Sequence, residues 1–115
     1  HVPRTPGTIN LLDSNAISKV KQGVIIVNTS RGVIIDQDAL VQALRSGLIG
    51  GAVLDVFRDE PGVPGELLRM KNVLLTPHMA GGTLSAREAC VKRAVQNVSA
   101  AQKNKKPVNA LNEVK

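Results

Sequence analysis

The stretch IIVNTSRGVIID, residues 25–36, decides the fold. With Val24 ahead of it, it opens as four apolar residues in a row. There is no in-out alternation of the kind a half-wet antiparallel strand shows. A short continuous run of this kind reads as a strand covered on both faces, as in a parallel sheet. The run then breaks into Asn28-Thr29-Ser30-Arg31-Gly32, turns apolar again over Val33-Ile34-Ile35, and stops at Asp36. A buried strand has no local use for an arginine at its end. Either the polar insert is an ordinary turn, with Gly32 giving the backbone room, or the strand carries the arginine to a site.

Reading outward, the same kind of run recurs at Ala52-Val53-Leu54 and Val73-Leu74-Leu75. The run at 33–35 is short enough to be only an extended approach to a helix, and residues 1–3 could be a further strand end. Between the runs lie helical signals. Asp36 is a good N-cap, Asp38 adds negative charge to the first turn, and Leu40, Ala43 and Leu44 share one face. Gly47 stands where a helix-terminating glycine is expected, so a helix covers 37–46. An earlier helix is expected over 13–20, capped by Asp13 or Ser14. Residues 58–65, with two prolines and two glycines, read as a loop, and 66–70 as a short turn of helix. A long last helix is expected over 85–102, with Ser85 and Glu88 as a capping box and Leu84, Val91, Val95, Val98 and Ala101 as an apolar stripe. Strand, helix, strand, loop, strand is the rhythm of an α/β fold. Three confident strands are too few for a complete doubly wound domain, and neither G-x-G-x-x-G nor a P-loop occurs. The expectation is half a sheet, cut from a larger protein or completed by a partner chain.

Composition bounds the rest. The chain has 115 residues, 43% of them apolar, and Phe57 is its only aromatic side chain, so aliphatic residues build the core. No apolar run approaches the roughly 20 residues needed to span a bilayer, and no membrane role is expected. A single cysteine, Cys90, excludes an internal disulfide framework and fits a reducing, cytoplasmic compartment. The net charge is +6, but residues 1–83 hold only +1 of it and residues 84–115 hold +5. The KNKK at 103–106 could touch phosphates, yet no aromatic stacking residue lies near it. A solvated helix end is the simpler reading, and no nucleic-acid partner is expected. Nor does any cluster point to a metal.

In open parallel sheets, ligands bind outside the carboxyl ends of the strands. That rule selects Asn28-Thr29-Ser30-Arg31 after the first strand, Asp55 and then Glu60 after the second, and Thr76-Pro77-His78, followed by Ala80-Gly81-Gly82, after the third. Each polar group has a bland alternative as a turn, cap or solvated loop residue. Together, one arginine, two acids and one histidine at adjacent strand ends point to chemistry. An arginine fork matches a carboxylate in two parallel hydrogen bonds. A histidine can pass a proton to or from an oxygen, and a neighbouring carboxylate fixes its orientation. That combination suits interconversion of a 2-hydroxy acid and a 2-oxo acid, with the hydride coming from a cofactor.

VNTSRGVIID, GAVLDVFRDEP and NVLLTPHMAGGT resemble the three signature stretches of the D-isomer-specific 2-hydroxyacid dehydrogenases, and HVPRTPGTINLL resembles that family's H-x-P-x-T-P-x-T segment. The resemblance runs from residue 1 to about 85. It implies a partial Rossmann-type parallel sheet of three to four strands flanked by helices: residues 1–84 as the C-terminal half of an NAD(P)-binding domain, and 85–115 as a terminal helix and basic tail packing toward a substrate domain. It implies Arg31 as the clamp on the substrate carboxylate, His78 as the general acid–base and Glu60 as its paired acid. Asp55 matches the aspartate that bonds the nicotinamide carboxamide. Val2, Thr29, Ser30, Ala80 and Gly81 match positions that contact the cofactor, expected to be NAD, or else NADP. Arg4 departs from the leucine often found at its position, and Gly7 from a common acidic residue. The resemblance also implies a small 2-oxo or 2-hydroxy acid as substrate, a missing N-terminal part of the same protein, a homodimer in full-length form, and an isolated fragment that is inactive. Family members that act as NAD(H)-sensing corepressors keep the same residues, so a non-enzymatic binding module is the alternative.

Overall fold

The computed structural model describes residues 2–110; His1 of the opening segment and residues 111–115 of the basic tail lie outside the described residues. The chain divides into two compact units, His1–Met79 and Ala80–Lys115.

The first unit is built on a three-stranded parallel sheet in the order β1-β2-β3, from Val24–Asn28, Ile49–Leu54 and Val73–Leu75. Val27 pairs with Val53 and Val53 with Leu74, so the apolar runs lie in register. Helix α1, Ser14–Ile17, precedes β1, and Asp13 rather than Ser14 caps it, accepting from the Ala16 N–H. Helix α2, Gln37–Ser46, crosses between β1 and β2. Its start is set by Asp36, whose Oδ1 accepts from the Asp38 and Ala39 N–H groups. Its end is set by Gly47 at φ 76°, a conformation a side chain would strain. The short α3, Gly65–Arg69, precedes β3. The core lies between the sheet and these helices: Ile17, Leu40, Leu44, Ile49, Leu54 and Leu67 are all buried. A buried leucine such as Leu40 contributes about 1.5–3 kcal/mol over its exposed state.

Two readings left open are decided and one expectation changes. The run at 33–35 is not a strand: Gly32–Ile34 make a 3₁₀ turn, and Ile35 forms a lone parallel bridge with Leu12. Residues 2 and 3 carry no strand either. The sheet is also covered on one face only among the described residues. Val24, Ile26 and Asn28 alternate inward along β1, while Ile25, Val27 and Leu74 are 66%, 64% and 61% exposed. The strands are apolar on both sides, and the described residues supply cover for one.

The second unit is dominated by α4, Leu84–Gln102. Its N-cap is Thr83, whose Oγ1 accepts from the Ala86 N–H, in place of the expected Ser85–Glu88 box. Both hydroxyl residues fit the cap chemically, and the chain enters the helix two residues earlier. The predicted stripe is present and outward: Leu84, Val91, Val95 and Val98 are all exposed. No helix of the described residues is long and apolar enough to cross a membrane.

Candidate active site

The site begins with a buried asparagine at the end of β1. Asn28 Nδ2 donates to the Arg31 carbonyl at 3.0 Å, and its Oδ1 accepts from the Ser30 N–H at 3.0 Å and hydroxyl at 2.7 Å. The three residues after the strand, Thr29-Ser30-Arg31, are thereby folded around one side chain, which presents Arg31 at the rim in an extended conformation. Arg31 steadies itself further by donating from Nη1 to the Ser30 carbonyl at 2.6 Å. The glycine beyond it is needed for closeness rather than for a turn. A Cβ on Gly32 would stand 2.0 Å from the Phe57 carbonyl carbon, so the backbone after β2 passes against it. That close approach brings Arg31 beside the segment carrying Glu60.

Asp55 ends β2, is 2% exposed, and works as a knot between strand ends. Its N–H donates to the Asn28 carbonyl at 3.0 Å, tying β2 to β1. Its Oδ1 accepts from the Thr76 hydroxyl at 2.6 Å and the Met79 N–H at 2.8 Å, tying β2 to the turn after β3. That turn holds His78 at φ 50°, the left-handed region that non-glycine residues rarely adopt. The His78 N–H donates back to the Thr76 carbonyl at 3.0 Å. Strain of this kind persists only where surrounding bonds fix it, and here Asp55 grips the residues on both sides of Pro77-His78.

The histidine ring is held from the other direction. His78 Nδ1 lies 2.7 Å from Glu60 Oε2, while Glu60 Oε1 accepts from the Phe57 N–H at 2.9 Å. The His78 bond first, then the Phe57 N–H, and more weakly the nearby Arg31 charge, hold the Glu60 carboxyl below its ordinary value of 4.5. An ionised Glu60 accepts a hydrogen bond from Nδ1–H, leaving Nε2 as the ring nitrogen for a ligand. The loop bearing Glu60 is anchored by Arg58, which donates to Asp38 at the start of α2 and to Asp59, both at 3.3 Å.

Arg31, Glu60 and His78 therefore line one cavity of about 290 Å³, with Arg4, Phe57 and Arg58 among its other walls. Val2, Pro3, Arg4, Ser30 and Arg31 line a second of about 460 Å³. Thr29 is half-buried beside them in sequence, and Asp55 lies beneath the rim. Ala80 and Gly81 belong to the second unit, in an exposed turn ahead of α4. Asn28 and Thr76 stand among the strand-end residues that the sequence selects, but their roles in shaping the turns appear only in the fold, and the Phe57 N–H carries no sequence signal. No group of His, Cys, Asp or Glu among the described residues could hold a metal ion.

The family model described as D-isomer specific 2-hydroxyacid dehydrogenase, NAD binding domain, matches residues 1–80. The chain is 40% identical over 113 residues to the glyoxylate reductase of Thermococcus litoralis, covering 98% of this chain and 34% of that protein. It superposes with a TM-score of 0.91 at 35% identity on the apo D-mandelate dehydrogenase of Rhodotorula graminis, over 100% of this chain and 34% of that one. The NADPH-dependent glyoxylate/hydroxypyruvate reductase of Sinorhizobium meliloti, solved with NADP and malonate, gives a TM-score of 0.81 at 39% identity over 86% of this chain and 31% of that one. The chain spans about a third of the length of the first curated relatives it matches.

Proposed function

This chain belongs to the D-isomer specific 2-hydroxyacid dehydrogenase family, and on that premise we propose that it supplies the catalytic half of an NAD(P)-dependent oxidoreductase interconverting a D-2-hydroxy acid and a 2-oxo acid. The observation that carries this reading is the 2.7 Å His78–Glu60 pair on a cavity shared with Arg31. A carboxylate clamp and a proton-transfer group stand on one small cavity, as reduction of a 2-oxo acid requires.

The residues fit one end of a dinucleotide. A carboxylate and hydroxyls stand at the carboxyl ends of parallel strands, where such ligands bind, whereas no G-x-G-x-x-G in the 115 residues could cradle a pyrophosphate. Asp55 would hold the nicotinamide carboxamide, with Val2, Thr29 and Ser30 along the same end, and Ala80 and Gly81 are proposed as cofactor contacts on the family resemblance. When bound, the nicotinamide supplies or accepts the hydride at C2 of the substrate. NAD is the cofactor we favour, on the description of the matching family, and NADH and NADPH are both to be tried.

The chain's own residues do the rest. Arg31 binds the substrate carboxylate through its guanidinium fork and turns the C2 oxygen toward His78. His78 Nε2 gives its proton to that oxygen during reduction and takes it back during oxidation. Glu60 fixes the ring by Nδ1 and stays ionised to stabilise the charged imidazole. The whole enzyme, on this reading, is a cytoplasmic homodimer.

The test is glyoxylate reduction by the full polypeptide that carries this segment. His78→Ala is expected to lower kcat/KM by about 10²–10⁴-fold, the usual worth of a positioned acid–base group. Undiminished turnover would remove the mechanism, and absence of turnover of any 2-oxo acid by the wild type would favour a binding module.

A further inference from the structure

Arg4 and Arg31 line both cavities of the site, the larger with Val2, Pro3 and Ser30, the smaller with Glu60 and His78. The larger has no acidic wall. In the smaller, each acid already has a partner: Asp59 is 3.3 Å from the Arg58 guanidinium, and Glu60 is 2.7 Å from the His78 ring. The two remaining cations are Arg4 and Arg31. Among the described residues neither makes an ion pair, and the Arg31 guanidinium's recorded bond is to a neutral carbonyl. Two guanidinium groups without a carboxylate at contact distance thus border both cavities. A ligand with a single carboxylate answers one of them.

The geometry points to a second anion subsite at Arg4, so that the substrate is a 2-oxo acid with a further anionic group, a carboxylate or a phosphate, at its distal end. This rests on the dehydrogenase reading above, with the 2-oxo carboxylate on Arg31 and the C2 oxygen at His78. The distal group then reaches Arg4 along the walls the two cavities share. Arginine suits the task because its planar fork meets carboxylate and phosphate alike in paired hydrogen bonds. Both guanidinium groups are open to solvent, which tempers the strength of each contact while leaving the discrimination between one and two negative charges.

The experiment compares kcat/KM of the full polypeptide for three 2-oxo acids: 2-oxobutyrate, with no distal charge; 2-oxoglutarate, with a distal carboxylate; and 3-phosphohydroxypyruvate, with a distal phosphate. The readout is the preference, the ratio of each dianion to 2-oxobutyrate. The wild type is expected to prefer at least one dianion, which identifies the distal group. Arg4→Leu is expected to lower that ratio by about ten- to a hundredfold, the worth of a hydrogen bond to a charged group, and Arg4→Lys to restore part of it. A ratio unchanged by Arg4→Leu overturns the subsite. A uniform rise in the KM for the dinucleotide with an unchanged ratio also overturns it, and assigns Arg4 to the cofactor's phosphates. If no 2-oxo acid is turned over, the dehydrogenase reading fails by itself. Calorimetric binding of 2-oxoglutarate against 2-oxobutyrate, with and without Arg4→Leu, then decides the subsite on the same ratio.

Discussion

At Glu60, two hydrogen bonds and one nearby cation act on a single carboxylate. Its pKa is depressed by His78 foremost, so its contribution to stability is present above the unfolded value and lost as pH falls through the folded one. The difference in denaturation midpoint between the wild type and Glu60→Gln should therefore shrink as pH falls below 4.5. Urea titrations across that range check the sign, and a difference that grows on acidification would contradict it. The residues of this pair were legible in the sequence as types at strand ends. Strand-end position alone does not separate Asp55 from Glu60 as the partner of the histidine; the family resemblance names Glu60, and in the fold Asp55 turns its Oδ1 to the Thr76 hydroxyl and the Met79 N–H while Glu60 reaches the ring. Gly32 is a second case. Its need arises from the backbone of Phe57, 25 positions away, which no local pattern encodes.

Elements were read well where the signal is local and less well where it is shared. Helix α2 follows its sequence at both ends, because an aspartate cap and a left-handed glycine are each decisive within four residues. Asp36→Ala removes the acceptor of two backbone N–H groups and should cost about 1 kcal/mol, read as a lower urea midpoint with an unchanged slope. At α4, by contrast, Thr83 and Ser85 both have cap chemistry, and the backbone decides for the threonine. The run at 33–35 has strand composition, yet it is held by turn bonds from Arg31 and Gly32 and by one bridge to Leu12. Three residues are too few for composition to outweigh such contacts.

Across the whole chain, the parallel order and register of the sheet follow from the apolar runs, whereas cover for its second face does not. Ile25 and Val27 on β1 and Leu74 on β3 are exposed, with Val53 of the central strand between Val27 and Leu74, an apolar surface of the sort that drives association. The isolated 115-residue chain should self-associate, and Val27→Thr with Leu74→Thr should shift it toward monomer in sedimentation experiments; a wild-type monomer at high concentration would refute this. The larger scale also shows what the two acids do jointly. His78 sits at the end of β3, a three-residue strand at the margin of the sheet, but its backbone turn is tied to Asp55 and its ring to Glu60, both on the segment leaving β2. The histidine takes its coordinates from the central strand and not from the one that delivers it. Fraying of β3, or changes in its length and composition, should leave the imidazole in place. A small shift of the 55–60 segment would carry ring and backbone along as one body.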